Sequence, residues 1–188
     1  GYQAGYSNTT GASVTALGYQ ALYSNSTSNI VTALGAQAGY SHTSGQLVAV
    51  GAPAAYSNTT GTQSVAVGNY AMHLNTTGSY NVAIGQDSLR SNTTADNNTA
   101  VGYQAGYTTQ TGANLTLVGY RAGFSNTAAN LTAVGYGAAT ANTTGTENTV
   151  MGVNSMVSNT TGSYNTALGR SALNANTTAS NKDRKSTR

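Results

Sequence analysis

The sequence has no cysteine, no tryptophan and a single proline in 188 residues, and only 6% of it is charged. Without Cys there is no disulfide framework and no thiolate zinc site. So few Lys and Glu exclude a coiled coil and charge-rich disorder, which are built from those residues. No apolar run approaches the roughly 18 residues of a membrane-spanning helix, so no membrane span is expected in this fragment. What the chain does contain is 31 Thr, 21 Asn and 23 Gly, which together with Ser fill half of it.

The net charge of +3 has an uneven origin. As far as Asn181, Arg90, Arg121 and Arg170 balance Asp87, Asp96 and Glu147. The surplus sits entirely in Lys182, Asp183, Arg184, Lys185 and Arg188. No basic patch exists for a nucleic acid, and none is expected as a partner. Residues 182–188 read as a non-native tail, because Asp183-Arg184-Lys185-Ser186-Thr187-Arg188 matches a translated sequencing adapter codon for codon. Residues 1–181 are then one repeat array, expected to be a fragment of a longer chain.

Self-similarity is the main signal. A glycine recurs at Gly1, Gly18, Gly35, Gly51, Gly68, Gly85, Gly102, Gly119, Gly135, Gly152 and Gly169, spaced by 17 residues or, twice, by 16. Numbered from that glycine, the consensus is G-Y-Q-A-G-Y-S-N-T-T-G-x-x-N-T-A-V. Positions 13 to 17 alternate polar and apolar, as in Asn81-Val82-Ala83-Ile84, which predicts a short β-strand. A second short extended piece is expected over positions 2 to 6, and Ser-Asn-Thr-Thr-Gly closes the circuit as a turn.

A unit this short buries nothing alone, whereas stacked units pair each strand with its copies above and below at about 4.8 Å per step. The expected fold is therefore all-β, a parallel β-solenoid (β-roll) of about eleven 17-residue coils. Positions 4, 15 and 17 are assigned to its interior. The core column is then Leu17, Leu34, Val50, Val67, Ile84, Val101, Val118, Val134, Met151 and Leu168. Position 16, mostly Ala, would point outward, towards another chain. The position-6 tyrosines (Tyr6, Tyr23, Tyr40, Tyr56 and Tyr107, with Phe124) are expected to stack along one edge.

The strand-and-bend unit, as in Ser64-Val65-Ala66-Val67-Gly68 and Asn81-Val82-Ala83-Ile84-Gly85, resembles the head repeats of YadA-like trimeric autotransporter adhesins. The resemblance covers residues 1 to about 180. It implies a left-handed parallel β-roll with three chains packed side by side. The unit of that family is shorter, and the extra length here lies in the Asn-Thr-Thr-Gly turn. The unit also resembles those of phage fibres and other extracellular filaments.

Eleven asparagines begin an Asn-x-Ser/Thr acceptor pattern. Asn8, Asn25, Asn58, Asn75, Asn92, Asn142, Asn159 and Asn176 occupy the same turn, while Asn97, Asn114 and Asn130 precede the strand. Two readings compete: covalent N-linked glycans on exposed turns of a secreted protein, or a ladder of stacked side-chain amides. The two exclude each other on the same nitrogen. Sugar would also keep a nearly uncharged surface soluble.

Chemistry is scarce. His42 replaces the turn asparagine and His73 a position-6 tyrosine, so the pair is not placed to hold a metal. No paired carboxylates, no recurring Ser-His-Asp set and no phosphate-binding loop are present. No catalytic residue, metal or cofactor is expected. The expectation is a non-enzymatic structural filament or fibre, extracellular or at the cell surface, glycan-decorated at its Asn-x-Thr turns. Its partner would be itself, as a homo-oligomer, a trimer or an end-to-end filament. The alternative is a trimeric adhesin or phage-fibre shaft that binds host surface glycans or receptors. An ice-binding face would need one regular exposed Thr column; at position 15 Thr is interrupted by Val65 and Val82.

Overall fold

The computed structural model describes residues 1–185; Ser186, Thr187 and Arg188, the end of the tail read from the sequence, lie outside the described residues. Eleven strands follow one another: β1 (Val14–Leu17), β2 (Val31–Leu34), β3 (Leu47–Val50), β4 (Ser64–Val67), β5 (Val82–Ile84), β6 (Thr99–Val101), β7 (Thr116–Val118), β8 (Leu131–Val134), β9 (Asn148–Met151), β10 (Thr166–Leu168) and β11 (Asp183–Lys185). They form one parallel sheet in strict sequence order. The register is one circuit per step, with Ala16 opposite Ala33 and Ala83 opposite Ala100. The protein is thus a β-solenoid of stacked coils. At about 4.8 Å per coil its length is roughly 50 Å.

The segment expected as a second strand is instead a pair of turns. Positions 3 and 5 both take the left-handed conformation, as at Gln20 (φ 52°) and Leu22 (φ 50°). The amide of position 4 donates to the carbonyl of position 1, as Ala21 does to Gly18. The amide of position 8 donates to position 5, as Asn25 does to Leu22. Inter-coil bonding nevertheless continues through these turns: Gly5 donates to Ala21 and Ser7 to Tyr23 of the next coil. Backbone bonds between coils thus run through the turns as well as the strands, which is what permits so much non-regular backbone in a thin rod.

The opening glycine is required by the stacking. Gly102 has φ 134°, and a Cβ there would lie 2.5 Å from the carbonyl oxygen of Gly119 in the next coil. Consecutive coils touch backbone to backbone at this corner, so no side chain fits.

The facing of the strands is the reverse of the sequence expectation. Positions 14 and 16 point inward: Ala33, Ala49, Ala66, Ala83 and Ala100 are fully buried, as are Leu117 and Val150 in the same column. Position 17 points outward. Leu17, Ile84, Val118, Met151 and Leu168 are exposed, and Leu34, Val50, Val67, Val101 and Val134 are half-buried. The reason is volume. The core is one side chain thick, and Ala at position 16 meets Ala at position 4 and the residue at position 5 across it. Leucine or valine in every coil at position 16 would overfill that space.

The core also balances volume coil by coil. In three of the four coils where position 5 is glycine the strand carries an inward leucine: Gly106 sits with Leu115 and Leu117, Gly123 with Leu131, and Gly39 with Leu47, while Gly5 sits with Val14. A Cβ on Gly106 would come within 2.8 Å of Leu117 Cδ1. Where position 5 is Leu89 or Met156, position 14 is the smaller Asn98 or Asn165.

Asp183–Lys185 continues the sheet as β11, fully exposed, with Arg184 opposite Ala167. That column elsewhere holds only Ala, Leu or Val.

Candidate functional site

The candidate sites are the columns that run along the rod. The turn column at position 8 is an amide ladder. Asn25, Asn58, Asn75, Asn92, Asn126, Asn142 and Asn159 are fully buried. Where the preceding coil also holds Asn, Nδ2 donates to its Oδ1: Asn75 to Asn58 at 2.6 Å, Asn92 to Asn75 at 2.7 Å and Asn159 to Asn142 at 2.8 Å. The second proton goes to the carbonyl three residues on, as from Asn58 to Gly61 at 2.9 Å and Asn142 to Gly145 at 2.9 Å. Asn176 repeats both bonds, to Asn159 and Ala179.

This geometry overturns the expectation of glycans at Asn25, Asn58, Asn75, Asn92, Asn142 and Asn159. A sugar on Nδ2 would replace a proton that bonds inside the coil, and zero exposure leaves it no room. Asn8 is exposed and donates to Gly11, and Asn176 is half-buried. Asn97, Asn114 and Asn130 differ from the rest. They are exposed at a left-handed corner with φ of 59° to 61°, and their Thr partners at position 15 face outward with them. Asparagine tolerates this conformation better than most residues.

A second buried amide column, at position 14, is visible in the consensus but was not singled out there. Asn81 donates to the Ala95 carbonyl at 2.8 Å and accepts the Asn98 amide at 2.9 Å. Asn148 and Asn165 repeat the pattern. The signal was an Asn in the strand pattern where an apolar residue would be ordinary.

The position-6 aromatics do stack. Tyr6, Tyr23, Tyr40 and Tyr56 lie 5.0 to 5.2 Å apart, nearly parallel, and His73 extends the column at 5.3 Å. Arg90 fills the next level, donating to the Tyr107 hydroxyl at 3.1 Å and pairing with Asp87 at 3.3 Å. Tyr107 stacks on Phe124, whose ring is covered by Arg121 at 4.0 Å. A second, more exposed column at position 2 joins Tyr2 to Tyr19 and Tyr103 to Tyr120 and Tyr136. Arg90 and Arg121 thus serve the stack as cationic caps.

The broadest feature is the outward strand face. Its position-15 column is Thr or Val and its position-17 column Leu, Val, Ile or Met throughout β1 to β10, without a charge. Ile30, Tyr80 and Tyr164 border it at position 13, each more than half exposed. A shallow hollow on this face is lined by Ile30, Thr32, Gln46, Val48, Gln63 and Val65 among others. A solvated sheet face ordinarily carries polar or charged residues; here Thr and Val alternate with an unbroken aliphatic column.

His42 stands in the amide column and His73 in the aromatic one, as expected, and among the described residues no group of three metal-ligating side chains occurs. Among the described residues no helix is long and apolar enough to cross a membrane. No protein family, curated protein or solved structure matches the chain.

Proposed function

We propose that this chain is the shaft of a non-enzymatic fibre, extracellular or at the cell surface, whose outward strand faces pack against further copies of itself. The observation that carries the reading is the uncharged Thr/Val and aliphatic face running the length of the rod. At about 50 Å by 15 Å it offers roughly 750 Å² per chain, close to one partner's share of a standard interface. The copies sit side by side, as in a trimer, or continue end to end.

The test is sedimentation of the native chain beside a Val67→Lys, Val101→Lys variant. The native chain is expected to form a defined oligomer and the variant a folded monomer with the same β-sheet circular dichroism. A native chain that stays monomeric at tens of micromolar removes this reading. Covalent glycans, in this account, belong on Asn97, Asn114 and Asn130. Peptide mass spectrometry of secreted chain checks it, and sugar on Asn75 in folded protein contradicts it.

A second reading, a shaft that binds host surface glycans or receptors, draws on the exposed tyrosines Tyr19, Tyr103, Tyr120 and Tyr136. Tyrosines of this kind present an apolar body and a polar tip to a ligand. Loss of binding to immobilised cells or glycans on Tyr120→Ala would support it.

A further inference from the structure

The amide column is interrupted twice, by His42 and Thr109, and each interruption leaves an oxygen without a donor. Asn25 Oδ1, below His42, and Asn92 Oδ1, below Thr109, are buried and have no hydrogen-bond partner. Thr109 turns its hydroxyl to the Asn126 carbonyl instead, at 3.0 Å. His42 is fully buried, with Nε2 3.3 Å from the Gly45 carbonyl and Nδ1 2.8 Å from Asn58 Nδ2.

The tautomer of His42 follows from its neighbours. Asn58 Oδ1 accepts from Asn75 at 2.6 Å, and Asn58 Nδ2 also donates to Gly61 at 2.9 Å. The Asn58 amide therefore cannot turn over, and it faces His42 with an N–H. His42 Nδ1 must accept, so the proton sits on Nε2 and is donated to Gly45. A second proton on the ring would set N–H against N–H. Turning Asn58 to relieve this would break its bonds to Asn75 and Gly61, and would pass the mismatch on to Asn75 and Asn92. The one unpartnered acceptor beside the ring, Asn25 Oδ1, belongs to the preceding coil, on the side away from Asn58, which Nδ1 faces.

We propose that His42 is an acid-sensitive joint: its protonation expels the ring from the amide column and opens the turns of the third and fourth coils, while the strand column stays paired. No other charged side chain faces the site, since the first 86 residues hold no Asp, Glu, Lys or Arg. Tyr19, Tyr23, Tyr40 and Tyr56 are the other titratable side chains of the second to fourth coils. His73 lies in the aromatic column, against Tyr56, Tyr70 and the Pro53 carbonyl.

Burial holds His42 below the ordinary histidine value of 6.5, and the Gly45 carbonyl pulls it weakly the other way. The unfolded ring takes its proton near 6.5, so the stability that depends on a neutral ring is complete above that pH. It is lost as the pH falls below it, until the folded ring titrates as well.

Hydrogen–deuterium exchange of the intact chain, corrected for intrinsic rates, tests this at about pH 7.5 and about pH 5. In the native chain, peptides covering 41–46 and 57–62 are expected to lose protection, by up to about tenfold per pH unit below the histidine range. His42→Asn supplies a donor for Asn25 and continues the ladder, so it is expected to fold, to melt higher and to show no acid response in these peptides. His73→Gln is expected to respond as the native chain does. An acid response that survives in His42→Asn, one that vanishes in His73→Gln, or none in the native chain overturns the proposal.

Discussion

A residue in this rod is judged by what its copies above and below need from it. Asn75 satisfies Asn58 Oδ1, the Gly78 carbonyl and, through its own oxygen, Asn92 Nδ2. Replacing it with alanine orphans the Asn58 oxygen inside a dry column. Asn75→Ala is therefore expected to cost about 1–3 kcal/mol, seen as a lower urea midpoint at unchanged slope. Thr94 occupies the exposed position 10 and makes no hydrogen bond through its hydroxyl, unlike Thr93, which donates to the Gln110 carbonyl at 3.2 Å. Thr94→Ala is expected to change stability by less than about 0.5 kcal/mol. Both residues belong to one Asn-Thr-Thr turn, so composition cannot tell them apart. The turn asparagines were legible as either glycan acceptors or a ladder. Burial decides for the ladder at six of them, and at five both amide protons are used.

At the scale of the strand, what matters is which side of the pleat faces in. Ala100 in β6 lies between Ala83 and Leu117 in the buried column. Ala100→Leu adds volume beside Leu89 and Leu117 and is expected to cost about 1–3 kcal/mol. Val101→Thr, one residue later and outward, is expected to be neutral within about 0.5 kcal/mol in the monomer. Equal losses at the two sites, measured by thermal denaturation, would show the facing described here to be wrong. The strand itself was readable from its alternation. Its facing was not: hydropathy ranks Leu and Val above Ala, yet a core one side chain thick selects the smaller residue. The strand expected at positions 2 to 6 failed for a related reason. Tyr-Gln-Ala-Gly-Tyr alternates in polarity, but left-handed residues at positions 3 and 5 bend it into turns, and non-glycine residues such as Gln20 and Leu22 carry no mark of that in their chemistry.

The whole molecule behaves as a one-dimensional stack in which each coil contacts only its neighbours. Deleting residues 68–84, one complete circuit, joins Val67 to Gly85 and preserves every column. The product is expected to fold into a rod shorter by about 4.8 Å in small-angle scattering. Deleting residues 68–76 joins Val67 to Thr77 and throws every later side chain out of its column. That variant is expected to lose its cooperative transition. The two natural 16-residue coils absorb their missing residue in the turn, between Thr43 and Leu47 and between Asn126 and Leu131, and leave the strand register intact.

The sequence by itself determined the period, the presence of a strand before each repeating glycine, and the stacking of like residues, because a repeat of fixed length admits one in-register solution. It also showed how few charged and metal-ligating residues the chain carries. The tertiary structure decided which face of the strand is buried, that the turn amides lie inside and the aliphatic column outside, and where His42 finds its partners. Those outcomes depend on how much volume is available across the core and on which hydrogen bonds each amide has already spent, and neither quantity exists until the coils are stacked.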